Sequence, residues 1–189
     1  KQKVTLIERG SMVDKRKEDI DSFFNNGKLQ LNSNVQFGEG GAGTFSDGKL
    51  TTGVKDKRKR FILETFVAHG AKEDILYLNK PHVGTDYLIN IVKSMRKEII
   101  KNGGAVLFDS QLVDLEIKNQ QLTAIKIKQA EQLITIKPDK LVLAIGHSAR
   151  DTYEMLYQRG LKMESKAFAV GLRIEHLQSF INKHQYGKY

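Results

Sequence analysis

The chain has 189 residues, 40% hydrophobic and 28% charged, no cysteine, and 31 Lys and Arg against 22 Asp and Glu for a formal charge of +9. Those values describe a globular protein of one domain or parts of two; they exclude a disordered or collagenous chain, a disulfide framework, a thiolate metal site and a cysteine nucleophile. The basic balance favours an anionic partner, but the charge is dispersed except at Lys55–Arg60, which reads as a solvated helix start without the interleaved aromatics of a nucleic-acid stripe.

In chain order, Val4–Ile7 is a β-branched apolar run ending at Glu8-Arg9-Gly10, a strand and a turn. A chain that opens on a strand, Lys1–Glu8, is expected to be an internal fragment of a longer protein. Residues 11–33 are polar apart from a knot at Phe23-Phe24, and residues 34–53 carry the glycine-dense run Gly38-Glu39-Gly40-Gly41-Ala42-Gly43. Arg58–His69 reads as a helix with Phe61, Ile62, Phe66 and Val67 on one side and Gly70 as its stop. Leu76–Leu78 is a short strand candidate. Leu88, Ile91, Val92, Met95 and Ile99 follow a 3.6-residue period, so a helix starts at Gly84 or Thr85 and closes at Gly103-Gly104.

Ala105–Phe108 is a strand, and Leu112–Ile117, Leu122–Ile127 and Leu133–Ile136 form an antiparallel meander over 111–137. Leu141–Ile145 is continuously apolar, as a parallel strand covered on both faces would be. Ser148 with Asp151 reads as a helix cap box, and Ala167–Ile174 is the last strand candidate. The fold expected is α/β, with Val4–Ile7, Ala105–Phe108 and Leu141–Ile145 in one parallel sheet and the meander attached. No apolar run is long enough to span a bilayer as a helix and no basic-then-apolar leader is visible, so a cytoplasmic protein is expected.

Four places carry chemistry. Glu8 ends a strand where a dinucleotide-binding fold places the acid that accepts two ribose hydroxyls; a surface carboxylate is the plain alternative. Gly43–Lys49 fits the spacing of a P-loop, but Leu50 stands where the Mg²⁺-binding Ser or Thr belongs. What remains is a loop whose bare backbone lets N–H groups approach a flat or anionic ligand, or else a mobile surface loop. Gly146-His147-Ser148-Ala149-Arg150 lies where a buried strand meets a helix start, the usual ligand position in open α/β sheets. Lys80-Pro81-His82 sets a cation and an imidazole before a helix, either an acid–base group or turn decoration. His69, His176 and His184 lack metal-ligand spacing, and no metal is assigned.

Several of these segments resemble bacterial FAD-dependent dehydrogenases of largely unassigned substrate. They are Val4–Glu8, the run from Ser33 through Phe37-Gly38-Glu39-Gly40-Gly41-Ala42-Gly43-Thr44 to Thr52, Lys80–Asp86, Leu141–Asp151 and Ala167–His176. The resemblance implies a glutathione-reductase-like flavoprotein with two dinucleotide-binding domains, FAD as cofactor and NAD(P)H as a candidate electron donor. It implies that Glu8 meets the adenosine ribose, that Gly40, Gly41, Ala42, Gly43 and Thr44 lie along the flavin half, that the backbone near Leu112 meets adenine, and that Gly146 approaches the cofactor. Lys49, His82, His147 and Arg150 are the candidates for polar work near the ring. The organisation implied is a partial FAD-binding domain at 1–53, a helical insert and connecting helix at 54–103, FAD-binding domain with meander at 104–160, and the start of a substrate domain at 161–189. The rival readings are a non-catalytic nucleotide- or RNA-binding module, and a flavoprotein that modifies tRNA. The first strand of such a fold and its phosphate loop would lie upstream, so the fragment alone is expected to bind FAD poorly, to be inactive and to self-associate.

Overall fold

A computed structural model describes residues 3–46 and 48–187. Lys1 and Gln2 of the expected first strand, Asp47 of the glycine-rich run, and Lys188 and Tyr189 at the end of the last expected segment lie outside the described residues. The architecture is α/β, with one small parallel sheet and one antiparallel sheet.

Strand β1 (Thr5–Ile7) pairs in parallel with β2 (Ala105–Leu107), Leu6 opposite Val106. The ladder runs on into the loops, with Glu8 N–H donating to the Leu107 carbonyl and Ser110 N–H to that of Glu8, each at 2.9 Å. Helix α1 (Val13–Asn26) was invisible in the apolar pattern, and the expectation of a polar stretch with an aromatic knot at 11–33 is corrected. Its inward face is Val13, Arg16, Asp19 and Ile20, so an arginine and an aspartate stand where an apolar stripe is usually sought.

Helix α2 (Arg58–Ala68) and helix α3 (Thr85–Lys101) occupy the expected spans, but the expected face of α2 is corrected: Phe61 and Ile62 are exposed, and Leu63, with Phe66 and Val67, faces the core. Leu63 of α2 and Leu88 and Ile91 of α3 close one core cluster with Ala71, Ile75 and Val83. Ile75 belongs to a 3-10 turn at Glu73–Leu76, so the short strand expected at Leu76–Leu78 is not there; the segment needs only one inward side chain and coils to supply it.

The meander is β3 (Ser110–Lys118), β4 (Gln121–Gln129) and β5 (Gln132–Ile136), antiparallel in sequence order. Asn119 and Gln120, at φ 50° and 61°, join β3 to β4 by the two left-handed positions that a tight hairpin requires. Leu115, Ile125 and Ile127 face Leu156 of helix α4 (Arg150–Gln158), and this second core cluster also takes Ile7 and Leu107 from the parallel sheet. The meander is thereby fixed against the ends of β1 and β2.

Three further expectations are corrected. Leu141–Ile145 is not a strand. Leu141 and Ile145 pack on the second cluster, yet Val142 is 86% exposed, because no strand lies beside the segment to cover it among the described residues. Ala167–Ile174 is likewise unpaired, its apolar side chains in solvent for want of a neighbouring sheet. Ser148 does not cap α4; the cap position is Ala149, whose methyl offers no acceptor, while Ser148 Oγ lies beside His147 Nδ1 and Asp151 bonds Arg9. Helix α5 (Gln178–Tyr186), not foreseen, is exposed along its length. Among the described residues no helix is long and apolar enough to cross a membrane.

Candidate functional site

Glu8 emerges half-buried from β1, and one carboxylate oxygen, Oε1, accepts the N–H of Gly10 at 2.8 Å and that of Gly38 at 3.1 Å. The second oxygen makes no hydrogen bond to the described residues. Gly10 must be glycine, since a Cβ there would lie 2.5 Å from the Asn32 carbonyl and from the Gly38 Cα. The turn after β1 is thus seated directly on the start of the glycine-rich run.

That run is held from below by two buried charges. The Arg16 side chain, from α1, donates to four carbonyls: Nε to Asn34 at 2.8 Å, and Nη1 to Glu39 and Gly41 at 2.8 Å and to Gly38 at 3.3 Å. Burial pushes the Arg16 guanidinium down to about 10, while Glu8 and Glu39 pull it back up, so it remains a cation at neutral pH. Glu39 is also buried; its Oε2 accepts the Val13 N–H, at the start of α1, at 2.7 Å and lies 3.2 Å from Arg96 Nη1 of α3. Burial raises the Glu39 carboxyl above its ordinary range despite the Val13 N–H and Arg96.

Above these anchors Gly40, Gly41, Ala42 and Gly43 are exposed. Gly40 has φ 85°, and a Cβ on it would collide with Thr44 Oγ1 and stand 3.0 Å from Val92. Gly41 N–H donates to Gly38 and Thr44 N–H to Gly41, whereas the N–H groups of Gly40, Ala42 and Gly43 have no acceptor among the described residues. A Cβ at Gly41 or Gly43 would meet nothing within 4 Å, so the loop faces open space. Thr44 itself is turned inward, 2% exposed.

Beside the end of β1 lies a cleft of about 290 Å³ lined by Arg9, Asn32, Asp109, Gln111, Lys128 and Glu131, with Ala130 at its edge. The sequence pattern singled out none of these as a site residue, Arg9 appearing only as part of the turn after the first strand. Asp109, two residues after the end of β2, is a non-glycine at φ 49°, a backbone position with no signature in the sequence. Gln111 lines the cleft, while the next residue, Leu112, is ladder-paired with Ile127 and packs in the meander core.

Asp151, in the first turn of α4, accepts from Arg9 at 2.5 Å and from Gln111 Nε2 at 2.7 Å, which ties the start of α4 to the turn after β1. Gly146 is exposed at φ 67° and its carbonyl accepts the Tyr153 hydroxyl at 3.0 Å. His147 is exposed with Nδ1 3.3 Å from Ser148 Oγ, and Arg150 is exposed. Lys49 and His82 meet as an antiparallel bridge, fixed by Val83 N–H to the Gly48 carbonyl at 2.9 Å and Leu50 N–H to that of Pro81 at 3.0 Å. The structure therefore forms two groups. One joins Glu8, the glycine run and, through Arg9 and Asp151, the Gly146 turn; the other is Lys49 with His82. Among the described residues no cluster of His, Asp or Glu is placed to hold a metal.

No family model matches the chain. It is 51% identical over 185 residues, 98% of its length, to an uncharacterized protein of Clostridium beijerinckii. The match takes up 34% of that relative, so the chain spans about a third of the length of the curated protein it matches.

Proposed function

We propose that this chain forms part of an FAD-dependent oxidoreductase, and that β1 and β2 belong to a Rossmann-like dinucleotide-binding sheet. One observation carries the reading. The carboxylate at the end of β1 is hydrogen-bonded to the first N–H of the glycine run, which links an acid suited to ribose hydroxyls to a run whose exposed N–H groups at Gly40, Ala42 and Gly43 have no acceptor among the described residues.

The residues present fit the cofactor. Glu8 Oε2, without a hydrogen bond among the described residues, suits ribose hydroxyls, and the cleft at Arg9, Asn32, Asp109 and Gln111 offers donors and acceptors to a base. Gly40, Ala42 and Gly43 offer three N–H donors to carbonyl or ring-nitrogen acceptors, and Gly41, Gly43 and Gly146 have room in front of them. When bound, the flavin supplies hydride transfer; the protein supplies orientation and electrostatics. Lys49 and His82, on one bridge, and His147 with Arg150 at the α4 turn are the exposed polar groups available to hold or move a proton. The substrate and the electron donor, with NAD(P)H the candidate, belong to the longer protein.

The test is the visible spectrum of the full-length protein after loading with FAD and desalting. A bound-flavin spectrum at one FAD per chain is expected. A colourless protein removes the flavoenzyme reading and leaves a non-catalytic nucleotide-binding module, which adenosine diphosphate binding would then reveal.

A further inference from the structure

Arg16 is fully buried, with no exposed surface, and no carboxylate among the described residues forms an ion pair with it. Arginine almost never reaches such a position without an anionic partner. Here its partners are peptide carbonyls, three of them from Gly38, Glu39 and Gly41. The Phe45 ring, 4.7 Å from the guanidinium carbon, lies over one face. The loop is drawn in so closely that a Cβ at Gly38 would collide with Arg16 Cδ and lie 2.9 Å from its Nε. One guanidinium nitrogen, Nη2, stays buried without a partner. A side chain serving only to fill this space would be apolar and leave no donor orphaned.

We infer that Arg16 is the positioning residue of the glycine-rich loop, the group that turns its carbonyls inward and so presents the N–H groups of Gly40 and Ala42 to the cofactor. A peptide plane has its carbonyl and N–H on opposite sides. Pinning the Glu39 carbonyl therefore aims the Gly40 N–H outward, and pinning the Gly41 carbonyl does the same for Ala42. The planar guanidinium suits this task because its donors diverge within one plane. This role rests on the flavin reading for its ligand but not for its geometry.

The experiment compares Arg16→Met and Arg16→Lys with wild type in the full-length protein, reading FAD affinity and amide hydrogen exchange over residues 38–44. Methionine matches much of the volume without donors; lysine restores charge and donors without the fork. Arg16→Met is expected to weaken FAD binding at least about tenfold and to speed exchange in the loop while leaving the meander at 110–136 unchanged. Arg16→Lys is expected to recover part of both, which a space-filling role would not produce. Wild-type affinity and wild-type exchange in Arg16→Met overturn the inference and leave the flavin reading standing. If wild type holds no FAD, the flavin reading falls alone and loop exchange decides the role of Arg16. If Arg16→Met does not fold, Arg16→Lys decides: intermediate affinity and exchange support the inference, and wild-type values overturn it.

Discussion

Arg9 and Asp151 stand 142 residues apart in sequence and form a 2.5 Å ion pair between the end of β1 and the first turn of α4. Arg9 also lies over the Phe37 ring, 4.7 Å from its centroid, so the same side chain binds α4 to the segment that leads into the glycine run. Because Asp151 is half exposed, the pair is expected to be worth about 1 kcal/mol. A double-mutant cycle with Arg9→Ala and Asp151→Ala, read by denaturant unfolding, should show coupling of that size; additive effects would refute it.

Two carboxylates are expected to contribute to the loss of stability in acid. Burial pushes Asp151 up, but hydrogen bonds from Arg9, Thr152 N–H and Gln111 outweigh it and hold the carboxyl below its usual range. Asp114 of β3 behaves alike, burial being outweighed by Arg159 and the Leu115 N–H. A depressed carboxyl stabilises the fold above its unfolded value of about 3.9, and that contribution is lost as pH falls through the folded one. Stability should therefore drop below about pH 4, and Arg9→Ala/Arg159→Ala should flatten the drop. Identical pH profiles for the two proteins would remove these aspartates as its cause.

Two glycines three residues apart should separate folding from binding. Gly40 combines a left-handed φ with a steric stop at Thr44 and Val92, so Gly40→Ala should cost roughly 1–3 kcal/mol of stability. Gly43 has neither constraint, so Gly43→Val should melt like wild type yet retain no FAD in the full-length protein. Wild-type flavin content in a folded Gly43→Val protein would count against the loop as the flavin site.

The meander core predicts a larger loss. Ile127 is fully buried between Leu115, Ile125 and Leu156, so Ile127→Ala should destabilise by about 2–5 kcal/mol. A loss under 1 kcal/mol would mean that α4 does not close this core.

Phe168, Val170, Leu172 and Ile174 alternate along an extended segment and are 74–92% exposed. An apolar row of this kind recruits a second copy. The 189-residue chain expressed by itself should sediment as more than a monomer, and Phe168→Ser/Leu172→Ser should return it to one. A monomeric parent chain would sink this expectation.

Elements whose partners lie within the chain were readable from its pattern. The period from Leu88 to Ile99 and the alternation on either side of Asn119-Gln120 correspond to α3 and to β3 with β4, whose apolar faces are covered locally. Leu141–Ile145 and Ala167–Ile174 have strand-like patterns too, but a pattern states what a segment can bury, not whether a neighbour arrives. Helix α1 was hidden for the opposite reason: its buried face is built on Arg16, and hydropathy scores arginine as surface. At the candidate site Glu8 and the glycine run were legible as chemistry. Arg9, Asn32, Asp109 and Gln111 were not, because only the docking of the meander on β1 assembles their cleft.

The pairing of Thr5 with Ala105 also sets an order of events during synthesis. At about 5–20 residues per second, β1 leaves the ribosome on the order of 5–20 seconds before β2 exists. The contacts of Arg16, by contrast, reach no further than Phe45, so the wrapped loop can assemble on the nascent chain before β2 exists. The hairpin of β3 and β4 closes over two residues and is the next fast step. During the interval β1 lacks the partner that β2 supplies. Slowed translation between codons 30 and 100 should lengthen that window and lower the yield of folded protein, without altering its final stability.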